Sequence, residues 1–295
     1  MNDSEKNDIT KKLKPITEEE AIKHYKLLTT ININNITNET RIGNKFVDYF
    51  TFRQRLDTIG IKGFNYFDFV SNTKYHEKKY IKKLLDYQKK DDKHIALYRI
   101  FKLHAGSIGL FKPLTAMEIY SRFKPTSILD FTMGWGGRLV GACVLDIPNY
   151  IGIDTNKSLV EPYKKMTQML KQLGNATNIE LIFEDALTID YSNLDYDMVL
   201  TSPPYYNKEL YEGTESRTNK EWETKFYAPL FSTTYEHLKP GGHYILNISK
   251  KIYDNVCVKI LGEADEKIAL KKKAHPKKST EDKDYSEYLY VWNKK

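Results

Sequence analysis

The spacing of apolar positions changes character at Pro125. Upstream the period is helical. Thr17-Glu18-Glu19-Glu20 has the form of a capping box, and Ala21, Ile22, Tyr25, Leu27 and Leu28 supply an apolar stripe behind it. A polar Asn/Thr stretch over 32–44 separates this helix from a mostly helical run over about 46–123. Downstream of Pro125, short apolar runs alternate with helical stretches. Strands are predicted at Ser127–Asp130, 150–154, 179–183, Met198–Thr201, His243–Ile248 and 288–292. Helices are predicted between them at 138–146, 157–173 (closed by Gly174) and 221–238. Strands alternating with helices predict an α/β domain built on a mostly parallel sheet with helices on both faces. This gives three segments: a polar, flexible tail over 1–15, a mainly helical N-terminal region over 16–110, and an α/β domain over 111–295. No internal repeat is visible.

Composition narrows the class. With 40% hydrophobic and 29% charged residues the chain reads as globular, and no window approaches the ~20 apolar residues of a membrane span. The first residues lack a signal-peptide core, so an intracellular, cytoplasmic protein is expected. Two cysteines, Cys143 and Cys257, are too few for a disulfide framework or a metal site of their own, and both lie in apolar runs. No metal is expected. The net charge of +7 and pI near 9.0 favour a polyanionic partner only weakly. Two features sharpen that reading. Six lysines fall between Lys267 and Lys278 without an acid, and Tyr66, Phe67, Phe69, Tyr75 and Tyr80 interleave with Lys74, Lys78, Lys79, Lys82 and Lys83. The first fits a solvated loop as well as a phosphate contact. The second fits a stacking surface for single-stranded nucleic acid, although such aromatics are more often core.

In an open parallel sheet, ligands bind beyond the carboxyl ends of the strands, where the winding reverses. The first such turn reads Asp130-Phe131-Thr132-Met133-Gly134-Trp135-Gly136-Gly137. Its glycines allow a tight turn and close approach of a ligand, and the following helix offers free N–H groups. The spacing is not Gly-x-Gly-x-x-Gly, which argues against a dinucleotide. The second turn carries Asp154 and Thr155, where a carboxylate can accept both hydroxyls of a ribose. The third carries Glu184, Asp185 and Ala186, where an acid can accept a hydrogen bond from an adenine amino group. Each acid alone could be a helix cap. Acids at three successive strand ends, with glycines only at the first, point to a nucleoside-bearing cofactor.

The fourth strand runs into Ser202-Pro203-Pro204-Tyr205. Two prolines stiffen the loop and expose carbonyl oxygens. An aryl amine is a weak nucleophile because its lone pair is delocalised into the ring. The Pro203 carbonyl and the Ser202 hydroxyl could accept its two N–H bonds and favour a tetrahedral nitrogen, while Tyr205 offers a face for an extruded base. An exposed polyproline ligand, such as one for a WW domain, fits poorly beside a buried strand.

The ordered set resembles the class I S-adenosylmethionine-dependent amino-methyltransferases, of the DNA adenine-N6 and cytosine-N4 type. These motifs are Asp-x-x-x-Gly-x-Gly, an acid after each of the next two strands, and then (Asp/Asn/Ser)-Pro-Pro-aromatic. The resemblance covers residues from about Lys112 to Trp292 and implies a Rossmann-like fold with a seven-stranded sheet. It implies S-adenosylmethionine as cofactor, with Asp130, Phe131, Thr132, Gly134 and Gly136 around its methionine part and Lys112 completing that pocket. Asp154 and Thr155 would take the ribose, and Asp185 and Ala186 the adenine. Ser202, Pro203, Pro204 and Tyr205 would be catalytic, with nucleic acid, most readily DNA, as partner. Serine in the loop leans toward cytosine. RNA bases, a protein glutamine (where Asn-Pro-Pro-Tyr is the usual loop) and a non-catalytic binding module stay as alternatives. Two departures stand out. Only about seventy residues separate Asp130 from Ser202 and about ninety follow Tyr205, too few for an inserted recognition domain. By elimination, target recognition falls to residues 17–110 and the lysine-rich 267–278. The first turn also carries the less usual Trp135 and Arg138.

Overall fold

The computed structural model describes residues 1–32, 41–87, 92–106, 108–210, 217–270 and 287–295. Where composition predicts a frayed tail, the chain forms helix α1 (Asp3–Leu13). A local device and a tertiary one make the difference. Asn2 and Glu5 form a reciprocal capping box, and Ile9 is buried while Lys6 reaches Asp57 at 2.8 Å. Helix α2 (Glu18–Thr29) begins at the expected Thr17–Glu20 capping box. Helix α3 (Asn44–Asp57) follows, then a two-residue strand β1 (Ile59–Gly60) and helices α4 (Tyr66–Ser71), α5 (Lys79–Tyr87) and α6 (Lys93–Ala105).

Tyr66, Phe67 and Phe69 do not form a stacking surface. They are buried, with Phe52, Phe64, Leu97, Ile100 and Phe101, in the core of this helical lobe. Of the aromatics that alternate with lysines, Tyr80 stays exposed. Burying a whole ring removes far more apolar area from water than stacking on a passing base.

Helix α7 (Pro113–Phe123) leads into the α/β domain. It continues with β2 (Ser127–Asp130), α8 (Gly137–Val144), β3 (Asn149–Ile153), α9 (Val160–Gln172), β4 (Asn178–Ile182), β5 (Met198–Thr201) and the short β6 (Glu209–Leu210). Helices α10 (Asn219–Glu221) and α11 (Ala228–Glu236) flank a π-helical stretch, Trp222–Tyr227. Strand β7 (His243–Ile248), helices α12 (Lys250–Ile252) and α13 (Val258–Leu261), and strands β8 (Glu266–Leu270) and β9 (Glu287–Asn293) complete it. The sheet order is β4-β3-β2-β5-β7-β9-β8, with β9 antiparallel to both neighbours. This is a Rossmann-like α/β fold with a mostly parallel seven-stranded sheet.

Strand residues alternate between two apolar layers, which explains why the central strands read as continuous apolar runs. Ile128, Leu200, Ile245 and Val291 join one layer with α7, α8 and α9, and Ala21, Tyr25, Phe46 and Val47 of α2 and α3 belong to the same layer. Leu129, Val199, Leu246 and Trp292 face the other, with Leu230 and Phe231 of α11. Strand β8 is not apparent from sequence because Lys267 and its neighbours read as a charged loop. Residues 267–270 are paired with β9, and the rest of the lysine-rich stretch lies outside the described residues. Among the described residues no helix is long and apolar enough to cross a membrane.

Candidate active site

The winding of the sheet reverses between β2 and β5, which lie side by side in parallel. The two chemistry-bearing turns therefore leave neighbouring strand ends, and Asp130 ties them together. Its carboxylate is fully buried and accepts three side-chain hydrogen bonds. Nε of Arg138 and the Tyr150 hydroxyl donate to Oδ2, each at 2.6 Å, and the Thr201 hydroxyl donates to Oδ1 at 2.8 Å. The Thr201 and Thr132 hydroxyls are 2.6 Å apart, and Arg138 also donates to the Thr132 carbonyl. Asp130 thus ties the two turns together, and Arg138 is its counter-ion. Burial alone would lower the Arg138 pKa, but the adjacent Asp130 overrides it and the net shift is upward. Phe131 is likewise turned into the core, near Phe231.

The glycine turn is held from three sides. Gly134 and Gly136 adopt φ of +57° and +92°, the left-handed region that glycine enters without a Cβ clash. The Gly134 N–H donates to Asp154 Oδ2 at 2.8 Å, the Tyr163 hydroxyl donates to the Gly134 carbonyl at 3.0 Å, and Thr51 of α3 donates to the Trp135 carbonyl at 3.1 Å. Gly137 opens α8 against the chain ahead of α7. A Cβ there would stand 1.8 Å from the Phe111 carbonyl oxygen, so only glycine fits. The Phe111–Lys112 stretch consequently packs on the turn, with the Arg138 guanidinium 5.1 Å from the Phe111 ring centre.

Asp154, just past β3, has one oxygen on Gly134 and accepts the Asn156 N–H at 2.9 Å on the other. Thr155 beside it is half-buried. Burial pushes the Asp154 carboxyl up to about 6 against those two backbone donors. Because the folded pKa lies above the unfolded one, near 4, the folded state holds the extra proton between these values. The contribution to stability is therefore fully present below about pH 4 and is lost as pH rises through about 6. Urea unfolding of the unliganded protein at half-unit steps from pH 4 to 7 should show this fall relative to Asp154→Asn. Parallel curves for the two proteins would rule it out. Asp185, past β4, is exposed and caps the short turn Ala186–Thr188 through the Leu187 N–H at 3.0 Å, while Ala186 is buried. Its role as a cap is therefore realised through one of its two oxygens.

After Thr201 the Ser-Pro-Pro-Tyr loop is clamped at its far end. The Tyr227 hydroxyl donates to the Pro204 carbonyl at 2.6 Å and accepts the Tyr206 N–H at 2.7 Å. Tyr206 itself takes a left-handed φ of +54°, and its hydroxyl donates to Glu223 at 2.8 Å. The Tyr205 hydroxyl donates to Asn247 at the end of β7. Pro203 is buried, Ser202, Pro204 and Tyr205 are half-buried, and the Pro203 carbonyl accepts no hydrogen bond among the described residues. Asn207 then receives the Trp222 indole N–H at 2.8 Å and the Arg217 N–H at 3.1 Å; residues 211–216 lie outside the described residues. Beyond Tyr206–Lys208, β6 pairs antiparallel with β1 of the helical lobe, Ile59 opposite Leu210 and Gly60 opposite Glu209.

The structure thus brings together the Gly134–Gly136 turn, Asp154 and the Ser202–Tyr205 loop around one switch point. Asp185 stands on the neighbouring strand end. Sequence reasoning missed Thr201, Tyr227 and Asn247. An asparagine inside the apolar run of β7 was the one available signal; nothing marked Tyr227. Among the described residues no group of three or more His, Cys, Asp or Glu side chains is placed to hold a metal ion.

No protein-family description and no curated protein sequence matches this chain. Solved structures do resemble it. TehB from Haemophilus influenzae is 12% identical over 66% of this chain and 66% of its own, with a TM-score of 0.40. TrmN from Thermus thermophilus is 15% identical over 62% of this chain and 48% of its own, with a TM-score of 0.44. NSun6 from Pyrococcus horikoshii is 17% identical over 64% and 53%, with a TM-score of 0.41. In each case less than two thirds of the other protein is spanned, and the likeness is one of fold.

Proposed function

We propose that this protein transfers a methyl group from S-adenosylmethionine to the exocyclic amine of a nucleic-acid base, with cytosine-N4 or adenine-N6 of DNA as the target. One observation carries the reading. The glycine turn and the Ser-Pro-Pro-Tyr loop meet at the switch point through the Asp130–Thr201 hydrogen bond, so a cofactor on one and an amine on the other would be neighbours.

The donor set suits this cofactor. Gly134 and Gly136 leave the backbone open to a methionine moiety, and the α8 N-terminus favours its carboxylate. Asp154 keeps lone pairs for ribose hydroxyls on oxygens already oriented by Gly134 and Asn156. Asp185 has one oxygen beyond its capping bond for the adenine amine, and Lys112 directly follows Phe111, whose carbonyl lies against Gly137. When bound, S-adenosylmethionine supplies an electrophilic methyl on a sulfonium that leaves as a neutral thioether.

The protein's own part is positioning. The Pro203 carbonyl and the Ser202 hydroxyl accept the two amine N–H bonds, which localises the nitrogen lone pair. Tyr205, tethered by Asn247, offers a fixed ring to the base. With S-adenosylmethionine held by the glycine turn, Asp154 and Asp185, an amine held by Ser202 and Pro203 would take the methyl as the carbon–sulfur bond broke, and would lose one proton to solvent.

The reading is tested by mass analysis of nucleosides digested from DNA and RNA of cells expressing the protein, and by titration of S-adenosylmethionine. Methylated cytosine or adenine amine is expected in DNA. Ser202→Ala should lower its formation about 10- to 100-fold, the worth of a hydrogen bond to a group gaining charge. Asp154→Ala should weaken cofactor binding at least tenfold. Absence of a methylated amine from both nucleic acids, or a yield untouched by Ser202→Ala, would overturn the assignment.

A further inference from the structure

Residues 59–106 hold eleven lysines and arginines against five acids, a surplus of six in a chain whose net charge is +7. The rest of the molecule is close to neutral. Within that stretch Lys62, Lys74, Lys78, Lys79, Lys82 and Lys83 are all exposed, and none forms an ion pair among the described residues. Helix α5 explains the segregation. It buries Ile81, half-buries Leu84 and Leu85, and turns Lys79, Lys82 and Lys83 to water.

An aromatic group stands among these charges. Tyr80 is 45% exposed, and its hydroxyl meets Nδ1 of His104 at the end of α6, which limits how the ring can turn. His104 packs against Phe64, their ring centres 6.0 Å apart. Burial lowers its pKa, and Lys78 and Lys62 lie close enough to lower it further. The next residue, Ala105, places its carbonyl beside Gly60 of β1.

The location gives this surface meaning. Strand β1 is hydrogen-bonded to β6, and β6 begins four residues after Tyr205. Four residues span at most about 14 Å, the ladder adds about 5 Å, and Lys62 lies two residues beyond Gly60. The Lys62 backbone is therefore within about 25 Å of Tyr205, roughly seven stacked nucleotides at about 3.4 Å each.

We infer that the face formed by Lys62, Lys74, Lys78, Tyr80, Lys82 and Lys83 binds the sugar–phosphate strand flanking the target base, with Tyr80 as a stacking platform. This rests on the reading of the Ser202–Tyr205 loop as a base-amine site and adds where the strand runs. Unpaired lysines release counterions from phosphates, and a tethered ring accepts any base on its face. The helical lobe would thereby contribute to target recognition.

The test is fluorescence anisotropy with a 12-nucleotide single-stranded oligodeoxynucleotide, and its RNA counterpart, across a salt series. The full chain is compared with Lys62→Glu/Lys78→Glu, Lys82→Glu/Lys83→Glu and Tyr80→Ala. Lys165→Glu/Lys171→Glu, on the exposed face of α9, serves as control. Each patch variant should weaken binding about tenfold at 0.1 M salt. The lysine variants should also flatten the log–log salt slope by about 0.7 for each phosphate they no longer neutralise, with S-adenosylmethionine binding unchanged. The α9 control should match wild type. Wild-type protein that binds neither oligonucleotide, or patch variants that bind like the control, would overturn the inference. If methylation persists in such variants, the amine-methylating reading survives without it. If patch variants lose binding but wild type methylates no base, the surface stands and the chemistry does not.

Discussion

Asp130→Asn is expected to destabilise the folded protein by about 3–5 kcal/mol, a large share of a typical domain's total. The amide keeps the size of the carboxylate but not its charge, and it must present an NH2 to one side of a cage built from donors. Arg138, buried with only 4% of its surface accessible, would lose its counter-ion without gaining water. Tyr150 and Thr201 would each lose a charge-assisted partner. Urea unfolding at neutral pH measures the loss. Removing both charges tests the mechanism. Asp130→Asn combined with Arg138→Met should recover part of the stability, because no unpaired buried charge is left behind. A single-variant loss below about 1 kcal/mol, or a double variant no better than the sum of the singles, would mean that the pair is not the keystone of the site.

On the proposed function, Tyr227→Phe is expected to cut the rate of methyl transfer about 100-fold while leaving S-adenosylmethionine affinity unchanged. One oxygen holds two successive backbone groups of the loop, the Pro204 carbonyl and the Tyr206 N–H. Without it, the left-handed turn at Tyr206 loses a constraint and the loop can shift relative to the bound amine. A misplacement of about 1 Å at a reacting centre can cost about two orders of magnitude. The readout is kcat in single-turnover assays together with S-adenosylmethionine titration. The ring remains in place, stacked on Trp222 at 5.7 Å and tilted against Phe231 at 5.6 Å, so a loss of fold is not expected. A kcat within twofold of wild type would show that the clamp does not position the loop. A parallel loss of cofactor binding would show that its effect is not local.

Much of the α/β frame is legible in the sequence because each central strand is buried on both faces and so reads as an uninterrupted apolar run. Strands β2, β3, β5, β7 and β9 all fall where such runs occur. Strand β8 does not, because it lies at the sheet edge and alternates half-buried with exposed positions. Helix α1 is hidden for a related reason: one buried isoleucine and a few ion pairs hold it, and neither raises local hydrophobicity. At the site, residue order along the chain identifies which strand ends matter. It does not tell which way a strand-end side chain points. Asp130 and Phe131 face inward and Asp154 faces the turn, a distinction set by register and by partners such as Tyr150, twenty residues away. Tyr227, on the π-helical stretch, reaches the loop only because that stretch packs beneath it.

The pairing of β1 with β6 also has a consequence for the order of synthesis. Residues 59–60 leave the ribosome about 150 residues before their partners at 209–210. The helical lobe can gather its own aromatic core early, since domains condense as their chain emerges, but its short strand then waits with unsatisfied backbone groups. It is completed by the segment that follows the Ser-Pro-Pro-Tyr loop, so the lobe captures that segment only after strands β2 to β5 have been made. Because the ladder is main chain to main chain, the capture asks little of side-chain identity at either strand. The lobe can therefore drift in sequence, and change what it grips, without letting go of the loop.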